Sequence, residues 1–148
     1  MKISTKGRYG LRILMDLAIH QSEKPRLIRD IAKSQQISEK YISRLVIALR
    51  KSGMVRSVRG VNGGFHIAMK PEDITLLDVI EVMEGPISIV VCVKTPKRCA
   101  MHENCAPREI WCQLNEDIRG LMRRTTLADI LESYKKQNAQ EGIFDYCI

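Results

Sequence analysis

The chain has 148 residues and a net charge of +7, and 45% of its residues are hydrophobic. This length and hydrophobic content are enough for one buried core, or for a small domain with an oligomerisation arm. It contains no apolar run long enough for a membrane helix, no signal-peptide pattern at its start, and no catalytic triad, phosphate-binding loop or paired catalytic carboxylates. These features argue against a membrane protein, a secreted protein and an enzyme. They predict a cytoplasmic protein whose cysteines are reduced.

The basic charge is concentrated in the first half of the chain. Residues 1–66 contain 14 Lys and Arg against 4 Asp and Glu, a net charge of +10, whereas residues 67–148 contain 10 against 13, a net charge of −3. This distribution suits a polyanionic partner, because each neutralised phosphate releases counterions and adds affinity that does not depend on base sequence. The alternative is a basic surface that is merely solvated.

A first helix is predicted within residues 1–22, beginning near Ser4 or Thr5. Its core face, at helical spacing, is predicted to comprise Leu11, Leu14, Met15 and Ala18. A helix N-terminus flanked by cations can clamp a phosphate, and the cations here are Lys2, Lys6, Arg8 and Arg12. Pro25 then breaks the chain, and a short helix is predicted over residues 27–34.

Residues 38–65 predict a recognition helix followed by a β-hairpin wing. Ser38 can cap a helix whose buried face is Ile42, Leu45, Val46 and Leu49, and Gly53 can end it. Two short strands then flank a glycine-rich turn at residues 60–64. This is the pattern of a winged helix-turn-helix, whose second helix enters the major groove of DNA. The side chains predicted to contact DNA are Lys6, Arg8, Ser38, Lys40, Tyr41, Ser43, Arg44 and Arg59.

Three further helices are predicted after the wing, so the expected fold class is mainly α with a small β-hairpin. Thr75 and Asp78 form a capping pair that opens a helix ending at Gly85, which completes a first domain of residues 1–86. A long helix from Pro107 to about Arg124 has a broad apolar stripe formed by Ile110, Trp111, Leu114, Ile118, Leu121 and Met122. Pairing this helix with its copy in a two-fold dimer would bury the stripe, and the alternative is packing against its own domain.

The end of the chain is predicted from a second capping pair, Thr126 and Asp129, which opens a short helix ending near Tyr134. Residues 107–134 are therefore predicted to be the dimerisation helix and a short terminal helix. Residues 135–148 are predicted to be a flexible tail.

Residues 87–106 are predicted to form a cysteine-rich loop. Cys92, Cys99 and Cys105 are separated by six and five residues, and can converge on one centre. Thiolates are the usual ligands of iron–sulfur clusters, whereas structural zinc sites more typically show cysteine pairs with two intervening residues. Nearby cations such as Lys94 and Arg98 would also favour the reactive thiolates of a redox switch. The spacing alone leaves cluster, thiol switch and zinc open.

Four motifs resemble the winged-helix transcription regulators that include IscR, NsrR, RirA and CymR. They are MKISTKGRYGL at 1–11, ISxxY at 37–41, VRGxxGG at 58–64 and TTLAD at 125–129. The resemblance runs nearly end to end, and the three-cysteine loop is similar to that of IscR-type members and unlike CymR, which lacks it. It implies a homodimeric regulator of iron–sulfur cluster biogenesis or related genes, whose cluster, 2Fe–2S or alternatively 4Fe–4S, alters DNA binding.

The same resemblance implies Cys92, Cys99 and Cys105 as cluster ligands and Arg59 as a side chain that enters the minor groove. Where IscR has a histidine ligand this chain has Arg108, where NsrR has an aspartate ligand it has Arg8, and where IscR has a glutamate that discriminates between operators it has Ser43. The fourth ligand is therefore open, and the candidates are His102, Glu103 and Cys112. The expected partners are an operator in duplex DNA, a second copy of the chain and iron–sulfur assembly proteins. The rival hypothesis, a winged helix that serves as a protein-interaction module, is disfavoured by the basic face.

Overall fold

The structure is a computed structural model and describes residues 2–21 and 24–144. Its helices and strands are α1 (Thr5–Ile19), α2 (Ile28–Gln35), α3 (Glu39–Lys51), β1 (Val55–Val58), β2 (Gly64–Ile67), α4 (Leu76–Glu84), α5 (Val91–Lys94), α6 (Pro107–Arg124) and α7 (Leu127–Phe144). Two 3-10 turns lie at Pro71–Asp73 and Pro96–Arg98. The two strands pair antiparallel, with Val55 opposite Ile67 and Val58 opposite Gly64. The predicted fold class, mainly helical with one hairpin, is confirmed.

The ends of the helix-turn-helix are set by local side-chain chemistry. The hydroxyl of Ser4 accepts a hydrogen bond from the main-chain N–H of Lys6 at 3.1 Å, and that of Ser38 accepts one from Tyr41 at 3.3 Å. Each cap satisfies an amide that has no partner within its helix. Between α2 and α3 the chain turns through Gln36, whose φ of 54° is left-handed. The predicted starts of α1 and α3 are therefore confirmed.

The hydrophobic core lies where α1 meets α3, α4 and the wing. On α3 the buried residues are the four that periodicity predicts: Ile42, Leu45, Val46 and Leu49. On α1 the fully buried apolar residues are Ile13, Leu14 and Leu17, so of the face predicted for this helix only Leu14 is fully buried. The other three predicted residues, Leu11, Met15 and Ala18, are partly buried and pack against the same core, so the predicted face is confirmed in part. It missed Ile13 and Leu17 because neighbours cover α1 on more than one side, and a single amphipathic stripe does not describe such a helix.

The helices α1 and α4 pack unusually closely. A Cβ atom added to Gly10 would lie 2.7 Å from Cγ of Met83, and one added to Gly7 would lie 2.5 Å from a carboxylate oxygen of Glu84. Across the same contact, the main-chain N–H and the hydroxyl of Ser4 donate to Glu84 at 2.8 and 3.0 Å. The two glycines therefore allow α4 to approach the start of α1.

Two capped helix starts are joined where α6 passes into α7. Thr75 and Asp78 form the predicted capping box on α4, and Thr126 and Asp129 make the same exchange on α7. The main chains of the two caps are bridged, because Leu76 N–H donates to Thr125 and Leu127 N–H donates to Ile74, each at 2.8 Å. The start of α7 is thereby fixed to the winged helix.

Two segments differ from the prediction. The last helix extends through Phe144 rather than ending near Tyr134, so residues 135–144 are helical and not a flexible tail. This run is rich in Lys, Gln, Ala and Glu, which favour helix even where nothing packs on them, and Lys136 pairs with Glu132 one turn away at 2.7 Å. Residues 145–148 of the predicted tail lie outside the described residues. The cysteine segment, predicted as a loop, contains α5 and a 3-10 turn.

Candidate DNA-binding surface and cysteine segment

The solvent-facing side of α3 is basic. Lys40 and Arg44 are exposed, and so are the further cations Arg50 and Lys51 toward the end of the helix. Ser43 is also exposed, and its hydroxyl donates to the main-chain carbonyl of Glu39 at 2.8 Å. This side is opposite the buried face, so the helix can enter a groove without losing its core contacts.

Two of the predicted DNA contacts are engaged within the protein. Ser38 caps α3, as described above, and the half-buried ring of Tyr41 meets Tyr9 edge to face, with 5.9 Å between ring centroids. These contacts hold the beginning of α3 against α1. At the start of α1, the cations Lys6 and Arg8 are exposed, whereas Arg12 lies over the ring of Tyr9 at 5.4 Å and is not free.

The wing is attached to the segment before α2. Phe65 N–H donates to the carbonyl of Arg26 at 2.8 Å, and Arg26 N–H donates to the carbonyl of Phe65 at 3.0 Å. A Cβ atom on Gly64 would lie 2.6 Å from that Arg26 carbonyl oxygen, so a glycine is required for the approach. At the other end of the hairpin Arg59 is exposed, at the edge of the turn.

Sequence reasoning missed a buried carboxylate behind this surface. Asp16 is 2% exposed and accepts hydrogen bonds from Arg26, Ser34 and Gln35. Burial by itself would raise the pKa of Asp16, but these hydrogen bonds and the positive charge of Arg26 outweigh it and hold the pKa below its ordinary value of 3.8. The sequence did carry one sign of this site, namely an aspartate among the apolar residues of α1. A carboxylate buried there needs hydrogen-bond partners or a cation.

The cysteine segment presents free thiols. Cys92, Cys99, Cys105 and Cys112 are all unpaired and half-buried. Within residues 2–21 and 24–144, no three His, Cys, Asp or Glu side chains lie close enough together to hold a metal ion, so the predicted ligands are not gathered in this arrangement. The donor set nevertheless fits an iron–sulfur cluster in kind, because three thiols lie on one short segment.

The candidates for a fourth ligand differ in their surroundings. Nδ1 of His102 lies 2.9 Å from the carbonyl oxygen of Cys99, which can only accept a hydrogen bond, so in the neutral ring Nδ1 carries the proton and Nε2 has the lone pair. Glu103 is exposed, with a carboxylate oxygen 3.8 Å from Nε2 of His102. Arg108, at the first turn of α6, has a buried Nε with no hydrogen-bond partner among the described residues.

The helix α6 turns its polar side inward and most of its apolar side outward. Asn115 is 5% exposed and accepts a hydrogen bond from Ile89 N–H at 3.1 Å, and Arg119 pairs with Glu81 on α4. Met122 and Ile118 pack against α4. The rest of the stripe is open to solvent and consists of Ile110, Trp111, Leu114 and Leu121. Packing on its own domain thus accounts for only part of the apolar stripe.

No helix in the described ranges is both long enough and apolar enough to cross a membrane.

An exposed basic recognition helix, a wing with an arginine at its turn and a cationic helix start define a winged-helix DNA-binding protein. Residues 3–133 match the family model Rrf2, which is described as an iron-dependent transcriptional regulator. The chain belongs to the Rrf2 family, whose members are transcriptional regulators and not enzymes. The predicted family is therefore confirmed.

Individual relatives share both sequence and fold with this chain. The transcriptional regulator CymR of Bacillus subtilis is 41% identical over 97% of this chain and 99% of its own length. The solved structure of CymR, described as the global cysteine regulator of B. subtilis, matches with a TM-score of 0.77 at 38% identity, covering 90% of this chain and 98% of that one. The structure of T. potens IscR matches with a TM-score of 0.74 at 34% identity, covering 93% and 90%.

Proposed function

We propose that the protein is a cytoplasmic homodimeric regulator that reads an operator with α3 and the wing, and whose affinity for that operator depends on an iron–sulfur cluster held by Cys92, Cys99 and Cys105. The observation that carries the proposal is the position of three free thiols on one segment, between the winged helix and α6. The description of the family as iron-dependent supports it.

For DNA reading, the exposed cations divide into two roles. Arg44 and Lys40 face outward from the recognition helix, where an arginine can donate two hydrogen bonds to guanine in the major groove. Arg59, at the wing turn, is placed to enter a narrow minor groove, which attracts arginine through its negative potential. Lys6 and Arg8, at the start of α1, are assigned to the phosphate backbone.

This assignment is tested with an operator selected on the parent protein. Arg44→Ala is expected to lose about 1–3 kcal/mol of binding free energy and to relax specificity at one base position, whereas Lys6→Ala is expected to weaken binding to all sequences and to reduce the salt slope by about one. Lys136→Ala, on the exposed side of α7, is the control. Parental affinity of both Arg44→Ala and Arg59→Ala at physiological salt would refute DNA reading by these elements.

The dimer is proposed on α6. Its open stripe of Ile110, Trp111, Leu114 and Leu121 lies on the side away from the helix's own domain, and a copy related by a two-fold axis would present the same stripe. A two-fold dimer also matches an operator with two symmetric half-sites.

For the cluster, we propose His102 as the fourth ligand. Its Nδ1 is hydrogen-bonded to the carbonyl of Cys99, which is the arrangement that orients a metal-ligating histidine and leaves Nε2 free. When bound, the cluster supplies a redox-sensitive link among residues 92–105. The chain itself couples the cysteine segment to α6, because the side chain of Asn115 on α6 accepts a hydrogen bond from Ile89 N–H, three residues before the first cysteine. Ordering of the segment would therefore affect the position of α6. Cluster assembly proteins would then be partners that load it.

Anaerobic reconstitution with iron and sulfide tests the cluster. The parent is expected to show sulfide-to-iron charge-transfer absorption that disappears in Cys99→Ala and survives in Cys147→Ala. His102→Ala should alter the spectrum or make the cluster labile, and Cys112→Ala should not. Stoichiometric zinc without sulfide, or an unchanged spectrum after replacement of all three cysteines, would refute the assignment.

The second candidate is a regulator that responds through thiols without a cluster. It is favoured by the identity to CymR, described as a cysteine regulator, which is higher than the identity to T. potens IscR, and by the free, half-buried thiols. A protein that stays colourless after reconstitution, but whose DNA affinity changes reversibly with thiol oxidation, would establish it.

A further inference from the structure

A single carboxylate lies where three parts of the winged helix meet. The side chain of Asp16, on α1, accepts from Nε of Arg26 at 3.0 Å and from Nη2 of the same residue at 3.4 Å. Its second oxygen also accepts from the hydroxyl of Ser34 and, at 3.2 Å, from the amide of Gln35. Ser34 and Gln35 are the last residues of α2, and Arg26 belongs to the segment before it.

A second contact reinforces the turn between α2 and α3. Nε of Arg12 donates to the side-chain oxygen of Gln35 at 3.0 Å, and another of its nitrogens donates to the main-chain carbonyl of Gln35. The Gln35 side chain is therefore held from both ends, by Arg12 and by Asp16. The left-handed residue Gln36 follows at once, and Ser38 then caps α3.

The same carboxylate also reaches the wing through the main chain of Arg26. Arg26 exchanges two main-chain hydrogen bonds with Phe65 of β2, at 2.8 and 3.0 Å. The guanidinium of Arg26 is bound to Asp16, so the position of the carboxylate is transmitted to the strand that carries one side of the wing. The recognition helix and the wing thus have one common anchor.

We propose that Asp16 is a positioning residue for DNA recognition, which fixes α3 and the wing relative to each other so that Arg44 and Arg59 reach one operator together. The proposal rests on the DNA reading proposed above. A buried ion pair adds little net stability, because the cost of desolvating both charges offsets most of their attraction. Its geometry, however, is strict, so the pair can fix the relative positions of the segments that it joins. A hydrophobic side chain could fill the same space without defining the turn.

The test compares Asp16→Asn with the parent on the selected operator and on non-specific duplex, well below the unfolding temperature of both proteins. The asparagine keeps the shape and loses the charge. We expect the operator affinity to fall about tenfold or more, within the usual range of coupling between sites, while non-specific affinity and its salt slope stay at the parental values. Asp73→Asn, which makes the same charge change at an exposed position outside this network, is expected to behave as the parent.

A double-mutant comparison separates positioning from a purely structural role. If Asp16 positions the wing, Arg59→Ala should cost less in the Asp16→Asn background than in the parent, because the wing contact is already impaired. Additive costs, parental operator affinity, or equal losses on operator and non-specific DNA would overturn the proposal. The preference of the parent protein for the operator over non-specific duplex is measured first. A parent without this preference would refute the proposed DNA recognition itself.

If Asp16→Asn does not fold, as judged by circular dichroism, the same measurements on Gln35→Ala decide. This variant removes the side chain held between Arg12 and Asp16 and leaves the ion pair with Arg26 in place. A selective loss of operator affinity supports the proposal, and parental specificity overturns it.

Discussion

Replacement of Leu114 by glutamate is expected to dissociate the dimer proposed on α6. Leu114 lies near the middle of the open stripe and is 43% exposed, between Ile110 at 66% and Leu121 at 59%. All three side chains lie on the side of the helix opposite to Asn115 and Arg119, which are engaged with their own domain. Leu114 also belongs to neither buried cluster, so a substitution there leaves the core of one subunit in place.

The magnitude follows from these exposed fractions. Full burial of a large apolar side chain contributes about 1.5–3 kcal/mol, so covering the exposed parts of Ile110, Leu114 and Leu121 would contribute roughly 2.5–5 kcal/mol per subunit. In Leu114→Glu, both copies lose their share of that term, roughly 1–3 kcal/mol in total. Two carboxylates without partners in the interface add several kcal/mol more. The dimer Kd is therefore expected to rise at least about a hundredfold.

Analytical ultracentrifugation over a range of concentrations measures this change directly, and circular dichroism confirms that the variant is folded. Arg123→Gln is the matched control, because it also lowers the net charge by one but lies on the opposite side of α6, where Arg123 is exposed. The control should keep the parental Kd. A folded Leu114→Glu protein that dimerises like the parent would place the interface elsewhere.

Three further predictions concern the winged helix and α7. Gly10→Ala should lower the unfolding temperature in calorimetry, because a methyl group 2.7 Å from Cγ of Met83 would overpack the α1–α4 contact. The expected cost of overpacking is about 1–3 kcal/mol, against roughly 1 kcal/mol gained in helix propensity. An unchanged or higher unfolding temperature would contradict the close packing. The pKa of Asp16 is depressed by folding, so its contribution to stability is present above the pKa of the unfolded chain, about 3.9, and is lost as the pH falls through the lower folded value. Urea titrations below pH ~4 should therefore show a steeper loss of stability in the parent than in Asp16→Asn, and parallel curves would show that the carboxylate does not contribute. Thr126→Ala removes the cap of α7 and should cost ~1 kcal/mol, whereas Ser133→Ala on the surface of the same helix should be neutral in the same titration; equal effects would argue against the cap.

Local chemistry explains which parts of this fold are predictable from sequence. The buried face of α3 is predicted residue for residue because one side of that helix is buried and the other, apart from the exposed Ile47, is mainly polar, so that periodicity reports burial directly. The caps at Thr75 and Thr126 are predictable because a hydroxyl and a carboxylate three residues apart satisfy amides within the same turn. The cap at Ser38 is predictable because a serine directly before an apolar helical pattern can accept a hydrogen bond from a free amide of the first turn.

The parts that were missed depend on contacts between distant segments. The prediction for α1 missed Ile13 and Leu17 because this helix packs against several elements, and Gly10 acquires its role only when Met83 of α4 packs against it. The side chains that donate hydrogen bonds to the Asp16 carboxylate are 10 to 19 residues away in sequence, which no local pattern can reveal. Whether Cys92, Cys99 and Cys105 share a cluster depends on a group that the sequence does not contain, so the ligand assignment stays a prediction.

The bridge between the caps of α4 and α7 has a consequence for operator architecture. Main-chain hydrogen bonds join Thr125 to Leu76 and Leu127 to Ile74, directly after α6 ends, and the ion pair between Arg119 and Glu81 lies less than two turns earlier. The C-terminal half of α6 and the DNA-reading unit therefore move as one body. In a dimer built on α6, the crossing angle of the two α6 helices would set the spacing of the two recognition helices. It would therefore set the distance between the two major grooves that the protein can span. Operators with a different spacing between half-sites would then require a change in how α6 crosses its copy, while the base preference within each half-site would stay with α3 and the wing.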